Sequence, residues 1–175
     1  MNKFIFKKTK IKDLYLLKPK TFTDHRGNFF RYFCSEEYKK VFFKNKIVQT
    51  NICSNKKIGI LRGLHYQIKP HEETKIITCV SGEVYDVAVD LRRGSKTFMK
   101  YYGVKLSEKN KYIFFVPKGF AHGYITLKKN STVIYLVDKK YNPKFEKGIK
   151  YNNNKIKIRW PMKPKYISKK DNNLD

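Results

Sequence analysis

Apolar and polar residues alternate with a period of two through most of this chain. The clearest run is 84–91, with Tyr85, Val87, Val89 and Leu91 on one face and Asp86, Ala88 and Asp90 on the other. A second apolar run covers 76–80, and Ser81-Gly82 between the two predicts a tight β-hairpin. Further strands are predicted at 12–17, 29–34, 47–53, 58–66, 98–106, 111–116, 122–127 and 131–137, with Gly, Pro, Asn and Lys marking the gaps. One helix is predicted from Glu36 to about Phe43, with Ser35 as N-cap and two glutamates at the positive end of the helix dipole. Many short strands and one or two short helices predict an all-β fold, a jelly-roll barrel with an open mouth. No repeat or low-complexity linker divides the chain, so residues 1–175 read as a single domain.

Composition changes this picture little. Aromatic residues make up 15% of the chain, enough to fill a barrel. Forty Lys+Arg against 14 Asp+Glu give a net charge of +26, which draws anionic ligands and raises a nucleic-acid-binding barrel as an alternative. The lysines are scattered rather than blocked, however, and read as a solvated basic surface, with no specific nucleic-acid partner. Cys34, Cys53 and Cys79 have neither disulfide nor zinc spacing and fit a reducing compartment. The N-terminal residues lack a signal-like apolar stretch and no segment is long enough to span a bilayer, so a cytoplasmic protein without a membrane partner is expected.

Two histidine segments carry candidate chemistry. On a strict period of two, His65 shares a face with Leu61, Gly63 and Gln67, and Arg62 points away. This is either a core histidine beside a surface arginine or, with a bulge at Gly63, a pair entering one cavity. His122 follows P-K-G-F-A, where Gly119 and Gly123 leave room for a ligand beside the imidazole. The spacings Gly59–His65 and Pro117–His122 resemble the two halves of the cupin signature. Metal-binding cupins carry a second histidine where this chain has Gln67, a poor ligand for a transition metal, so no metal is expected.

Several motifs in one order, from about Leu14 to Asp171, carry a wider resemblance. They are F-T-D-H-R-G at 22–27, L-R-G-L-H-Y-Q at 61–67, Lys75 before an apolar strand, and G-E-V-Y-D-V-A-V-D at 82–90. P-K-G-F-A-H-G-Y at 117–124, Tyr135, G-I-K at 148–150 and I-S-K-K-D at 167–171 complete the set. On these the chain resembles the dTDP-4-dehydrorhamnose 3,5-epimerase family, cupin-fold enzymes of nucleotide-sugar metabolism. The resemblance implies a cupin-type jelly roll, a homodimer, no cofactor, and inversion of carbon 3, carbon 5 or both in a nucleotide-diphospho-4-keto sugar for bacterial surface polysaccharide. It makes His65 the base, Asp171 its carboxylate partner, Tyr135 the acid on the opposite face of the sugar, and Lys75 the cation at the enolate oxygen. Arg26 and Arg62 become diphosphate contacts, His122 a pocket residue that Asp86 orients, and Gln49, Asn51 and Tyr141 further substrate contacts.

Three segments differ from the family pattern: Arg31 replaces a glutamate, Thr50 an aspartate, and Leu136-Val137 a polar pair. If Arg31 faces the base, it suits the acceptor edge of guanine and tilts preference from dTDP towards GDP, with a hexose or heptose attached. A ketoisomerase of the same fold is the enzymatic alternative.

Overall fold

Side chains that alternate along a strand need a partner surface on each apolar face, and here two facing sheets supply it. The computed structural model describes residues 3–41 and 43–174. The chain opens with β1 (Phe4–Lys8), β2 (Tyr15–Pro19) and a separate hairpin, β3 (Thr21–Asp24) and β4 (Gly27–Phe30). After helix α1 (Ser35–Tyr38) and a 3-10 turn come β5 (Gln49–Asn55), β6 (Ile60–Gln67), β7 (Lys75–Ser81) and β8 (Glu83–Asp90). Then follow β9 (Tyr101–Ser107), β10 (Ile113–Val116), β11 (Phe120–Thr126) and β12 (Ser131–Val137). The last elements are short: β13 (Glu146–Gly148), β14 (Tyr166–Ile167) and helix α2 (Lys169–Asn172).

One sheet has the order β1-β2-β10-β7-β12-β5, and the other the order β13-β6-β11-β8-β9 with β14 beside β6. All pairings are antiparallel except that of β14 with β6. This is the expected all-β jelly roll. Leu16, Ile77, Val84, Ala88, Leu106, Phe114 and Val133 fill the closed end between the sheets. Outside the first sheet, α1 and its flanks bury Tyr38 against Phe4, Phe43 and Phe115. Outside the second, Ile156 closes over Val87, Val89 and Leu64, with Trp160 packed alongside.

Both faces of β8 are therefore buried, and alternation there separates the core between the sheets from an outer core rather than core from solvent.

Two expectations need correction. The runs at 76–80 and 84–91 do not pair as a hairpin: β7 bonds to β10 and β12, while β8 bonds to β9 and β11. Gly82, at φ +73°, turns the chain from one sheet into the other, where an added Cβ would lie 2.4 Å from Ser131 Oγ. The helix N-cap is Cys34, not Ser35, and the helix gives way to 3-10 geometry at Lys39–Val41. Burial of Tyr38, whose hydroxyl donates to the Tyr32 carbonyl at 3.0 Å, sets that phase. Residue 42, near the expected end of the helix, lies outside the described residues.

Of the two readings left open for this segment, the structure has the bulge at Gly63. His65 lies opposite His122 and Arg62 opposite Tyr124, so Gly63 and Leu64 together face Gly123. Gly63 sits at φ +101°, and a Cβ there would lie 2.7 Å from the His122 carbonyl oxygen. Gly63→Ala should lower stability by about 1–3 kcal/mol, measured by urea denaturation. An unfolding midpoint equal to that of the parent would show that the bulge tolerates a side chain.

Candidate active site

The sheets part at one end around a cavity of about 1040 Å³. The bulge turns Arg62 and His65 into the same space, as a strict two-residue period would not allow. His65 Nε2 lies 2.7 Å from Asp171 Oδ1, and Asp171 Oδ2 accepts the Gly63 N–H at 3.1 Å. Asp171 reaches that position because α2 folds back against β6, with Ser168 Oγ capping the helix by accepting the Asp171 N–H at 3.0 Å. Burial works to raise the Asp171 carboxyl, but the hydrogen bonds from His65 and Gly63 outweigh it and hold the group below its ordinary value. Asp171 thus stays an anion. Its pairing makes Nε2–H the donor and leaves the other ring nitrogen free to accept a proton.

The opposite wall carries Tyr135 on β12 and Lys75 on β7. Burial raises the Tyr135 hydroxyl to about 12, with the nearby Cys53 and Glu73 adding to the rise. The phenol therefore keeps its proton at neutral pH. Lys75, nearly buried, pairs with Glu73 at 2.6 Å, so its charge is positioned rather than mobile. His122 also lines the cavity and meets Asp86 at 2.7 Å, a contact that orients the ring. Complete burial pushes the Asp86 carboxyl up against the pull of His122 and Lys75, and its Oδ2 meets no hydrogen-bond partner.

Of the expected substrate contacts, Arg62, Gln49, Asn51, His122 and Tyr141 line the cavity. Arg62 Nε donates to Asn55 at 2.9 Å, and Gln49 Nε2 donates to Asn51 at 2.8 Å. Arg26 and Arg31 are not brought there by their own chain. Arg26 is an exposed partner of Asp24 on the β3–β4 hairpin, and Arg31 pairs with Glu37 at 3.1 Å. Gln67 is buried, with its amide donating to the His71 carbonyl and Glu73 and its oxygen accepting the Asn142 N–H. It braces the loop after β6 at the cavity wall.

Sequence reasoning missed Glu146, whose Oε1 lies 3.9 Å from His65 Nδ1, and Lys170, which bonds Glu146. Nothing in the local pattern marks Glu146, because β13 is three residues long and acquires its place only by pairing with β6. It also gave no such part to Glu73 and Asn55, which fix Lys75 and Arg62 of the cavity.

A base on one wall, a protonated phenol on the other and a held cation are an arrangement for moving protons at carbon. Comparisons with known proteins identify the family. Residues 8–175 match the family model described as dTDP-4-dehydrorhamnose 3,5-epimerase. A Shigella flexneri protein of that name is 41% identical over 167 residues, 95% of this chain and 92% of the relative. The crystal structure of the Elizabethkingia anophelis dTDP-4-dehydrorhamnose 3,5-epimerase superposes with a TM-score of 0.93 at 38% identity, covering 99% of this chain and 96% of that one. A Legionella pneumophila dTDP-6-deoxy-D-glucose-3,5-epimerase in complex with dTDP-4-keto-L-rhamnose gives 0.91 at 37% identity, with 96% and 89% covered.

Asp171 is held below its ordinary value in the folded state, so its contribution to stability is present above about pH 4 and is lost as the pH falls through the folded value. Asp171→Asn should therefore cost about 1–3 kcal/mol at pH 7, and the difference from the parent should narrow below pH ~4. Urea titrations at several pH values check this; a difference that does not change with pH would contradict it.

Proposed function

Since the chain belongs to the dTDP-4-dehydrorhamnose 3,5-epimerase family, an isomerase family acting on nucleotide sugars, we propose that it inverts both carbon 3 and carbon 5 of a dTDP-linked 4-keto-6-deoxy sugar. The observation that carries the reading is the His65–Asp171 pair on one wall of the cavity with Tyr135 on the other. A ketone at carbon 4 acidifies the hydrogens on the two neighbouring carbons. His65 removes one, and the electron pair left on carbon is delocalised onto the ketone oxygen as an enolate. Lys75 stabilises that oxygen, and a preoriented charge of this kind is the term that usually dominates in such sites. Tyr135 then delivers its proton from the opposite face and inverts the centre. The tyrosine's raised value suits this role, since the group must arrive protonated and the enolate carbon is a far stronger base than phenolate. Asp171 positions the imidazole and steadies the imidazolium that forms.

Arg62 at the mouth offers the diphosphate a planar donor fork. The nucleotide is dTDP, as the family and the relative bound to dTDP-4-keto-L-rhamnose suggest, and Arg31, on which GDP would depend, is paired with Glu37. The protein works as a homodimer of single-domain chains in the cytoplasm, and its product feeds a bacterial surface polysaccharide. Support for the dimer comes from the open edge of β5, which exposes Ile52, and from the hairpin that exposes Phe22 and Phe29.

His65→Asn should reduce turnover of a dTDP-linked 4-keto-6-deoxy sugar by about 10³-fold or more while leaving the fold intact. Tyr135→Phe should separate the two half-reactions, still washing solvent deuterium into the substrate while forming little inverted product. Product analysis by NMR checks both. Turnover by His65→Asn close to the parent's, or unchanged product formation by Tyr135→Phe, would remove that residue from its role.

A further inference from the structure

We infer that Glu146 is a positioning residue for proton transfer at His65, facing the ring edge opposite Asp171 and holding the imidazolium that forms there. The inference rests on His65 being the base and extends that reading to a residue to which no part has been given.

The geometry begins with β13, which pairs with β6 so that Glu146 lies opposite Gln67 and Gly148 opposite His65. This register carries Glu146 Oε1 to 3.9 Å from His65 Nδ1. The distance is too long for a hydrogen bond and well within reach of a charge. Glu146 Oε2 accepts from the Tyr141 hydroxyl at 2.6 Å and from Lys170 Nζ, so the carboxylate is held from two sides and its side chain is 13% exposed.

Asp171 occupies Nε2, so the proton taken from the sugar ends on Nδ1. The carbon–hydrogen bond breaks, its electron pair passes into the enolate, and a nitrogen–hydrogen bond forms at the ring edge that faces Glu146. The ring turns from neutral to positive between two carboxylates, one hydrogen-bonded and one at charge distance. Burial would favour a neutral Glu146, but Lys170, Tyr141 and the His65 charge outweigh it, so the group stays ionised at neutral pH.

Other charged and titratable groups surround the ring. Asp171 and Lys170 come from α2, Arg62 lies on β6 itself, His122 faces it from β11, and Tyr141 sits before β13. Tyr135 and the Lys75–Glu73 pair face it across the cavity. Lys170 and Arg62 oppose a positive ring, whereas Asp171 and Glu146 favour one. Glu146 also ties Lys170, the neighbour of Asp171, to the sheet, so one carboxylate acts on the base and on the segment that carries the base's partner.

Glu146→Gln keeps oxygen for Tyr141 and Lys170 and removes the charge. The acid limb of its kcat/KM profile with a dTDP-linked 4-keto-6-deoxy sugar should move down by ~0.5–1 pH unit, because a ring with less support protonates less readily. Turnover should fall about tenfold with KM changed by no more than about twofold. Lys170→Gln, which removes a cation instead, should move the limb upward. The His65 ring resonances, followed by NMR in substrate-free protein, should titrate in the same opposite directions. Loss of packing alone would not give shifts of opposite sign. If neither the ring nor the limb moves in either variant while His65→Asn is inactive, the role of Glu146 is overturned and the base assignment stands. If the ring titration moves and the limb does not follow, His65 is not the base and the inference falls with that reading.

Discussion

The hydrogen bond between Asp171 and His65 joins residues 106 apart in sequence, and the geometry of the cavity depends on it. On one side it needs the bulge, because a regular β6 would send Arg62 and His65 to opposite faces. On the other it needs α2 to dock, which the Ser168 cap and the β14–β6 pairing accomplish. The same carboxylate accepts the Gly63 N–H, a backbone donor of the bulged segment itself. One side chain thus stabilises the irregularity in the strand and sets the tautomer of the histidine which that irregularity presents.

The cavity holds its charges by pairing them before a ligand arrives. Lys75 meets Glu73, His122 meets Asp86, His65 lies between Asp171 and Glu146, and Arg62 leans on Asn55. Such pairing limits the cost of burying each group and fixes where each points, so little reorganisation is needed when charge develops on the substrate. The net charge of +26 plays a different part. It resides on scattered surface lysines, whereas the aromatic rings around Tyr38 cluster in buried packing with Phe4, Phe33 and Phe43.

Much of this was legible in the sequence, and the gaps have physical reasons. Period-two patterning located the main strands, and two glycine-flanked histidine segments marked the cavity. Patterning could not say which strands pair, so 81–82 read as a hairpin when its two strands belong to different sheets. Nor could it find β13, β14 or α2, which are two to four residues long and owe their form to docking on β6. Asp171, Tyr135 and Lys75 came from family resemblance, because nothing local separates Tyr135 from the other twelve tyrosines. Glu146 escaped both routes, while Arg26, which fits the resemblance, and Arg31, which departs from it, both lie away from their own chain's cavity.

The most direct test of the account is solvent deuterium incorporation by the unmodified enzyme. A dTDP-linked 4-keto-6-deoxy sugar would be incubated with the protein in heavy water and followed by NMR at each ring carbon. The account predicts deuterium at carbon 3 and carbon 5, each entering with inversion, and none at carbons 1 and 2. Inverted product that retains hydrogen at both centres would contradict it, since no proton would then have passed between the sugar and groups that exchange with water.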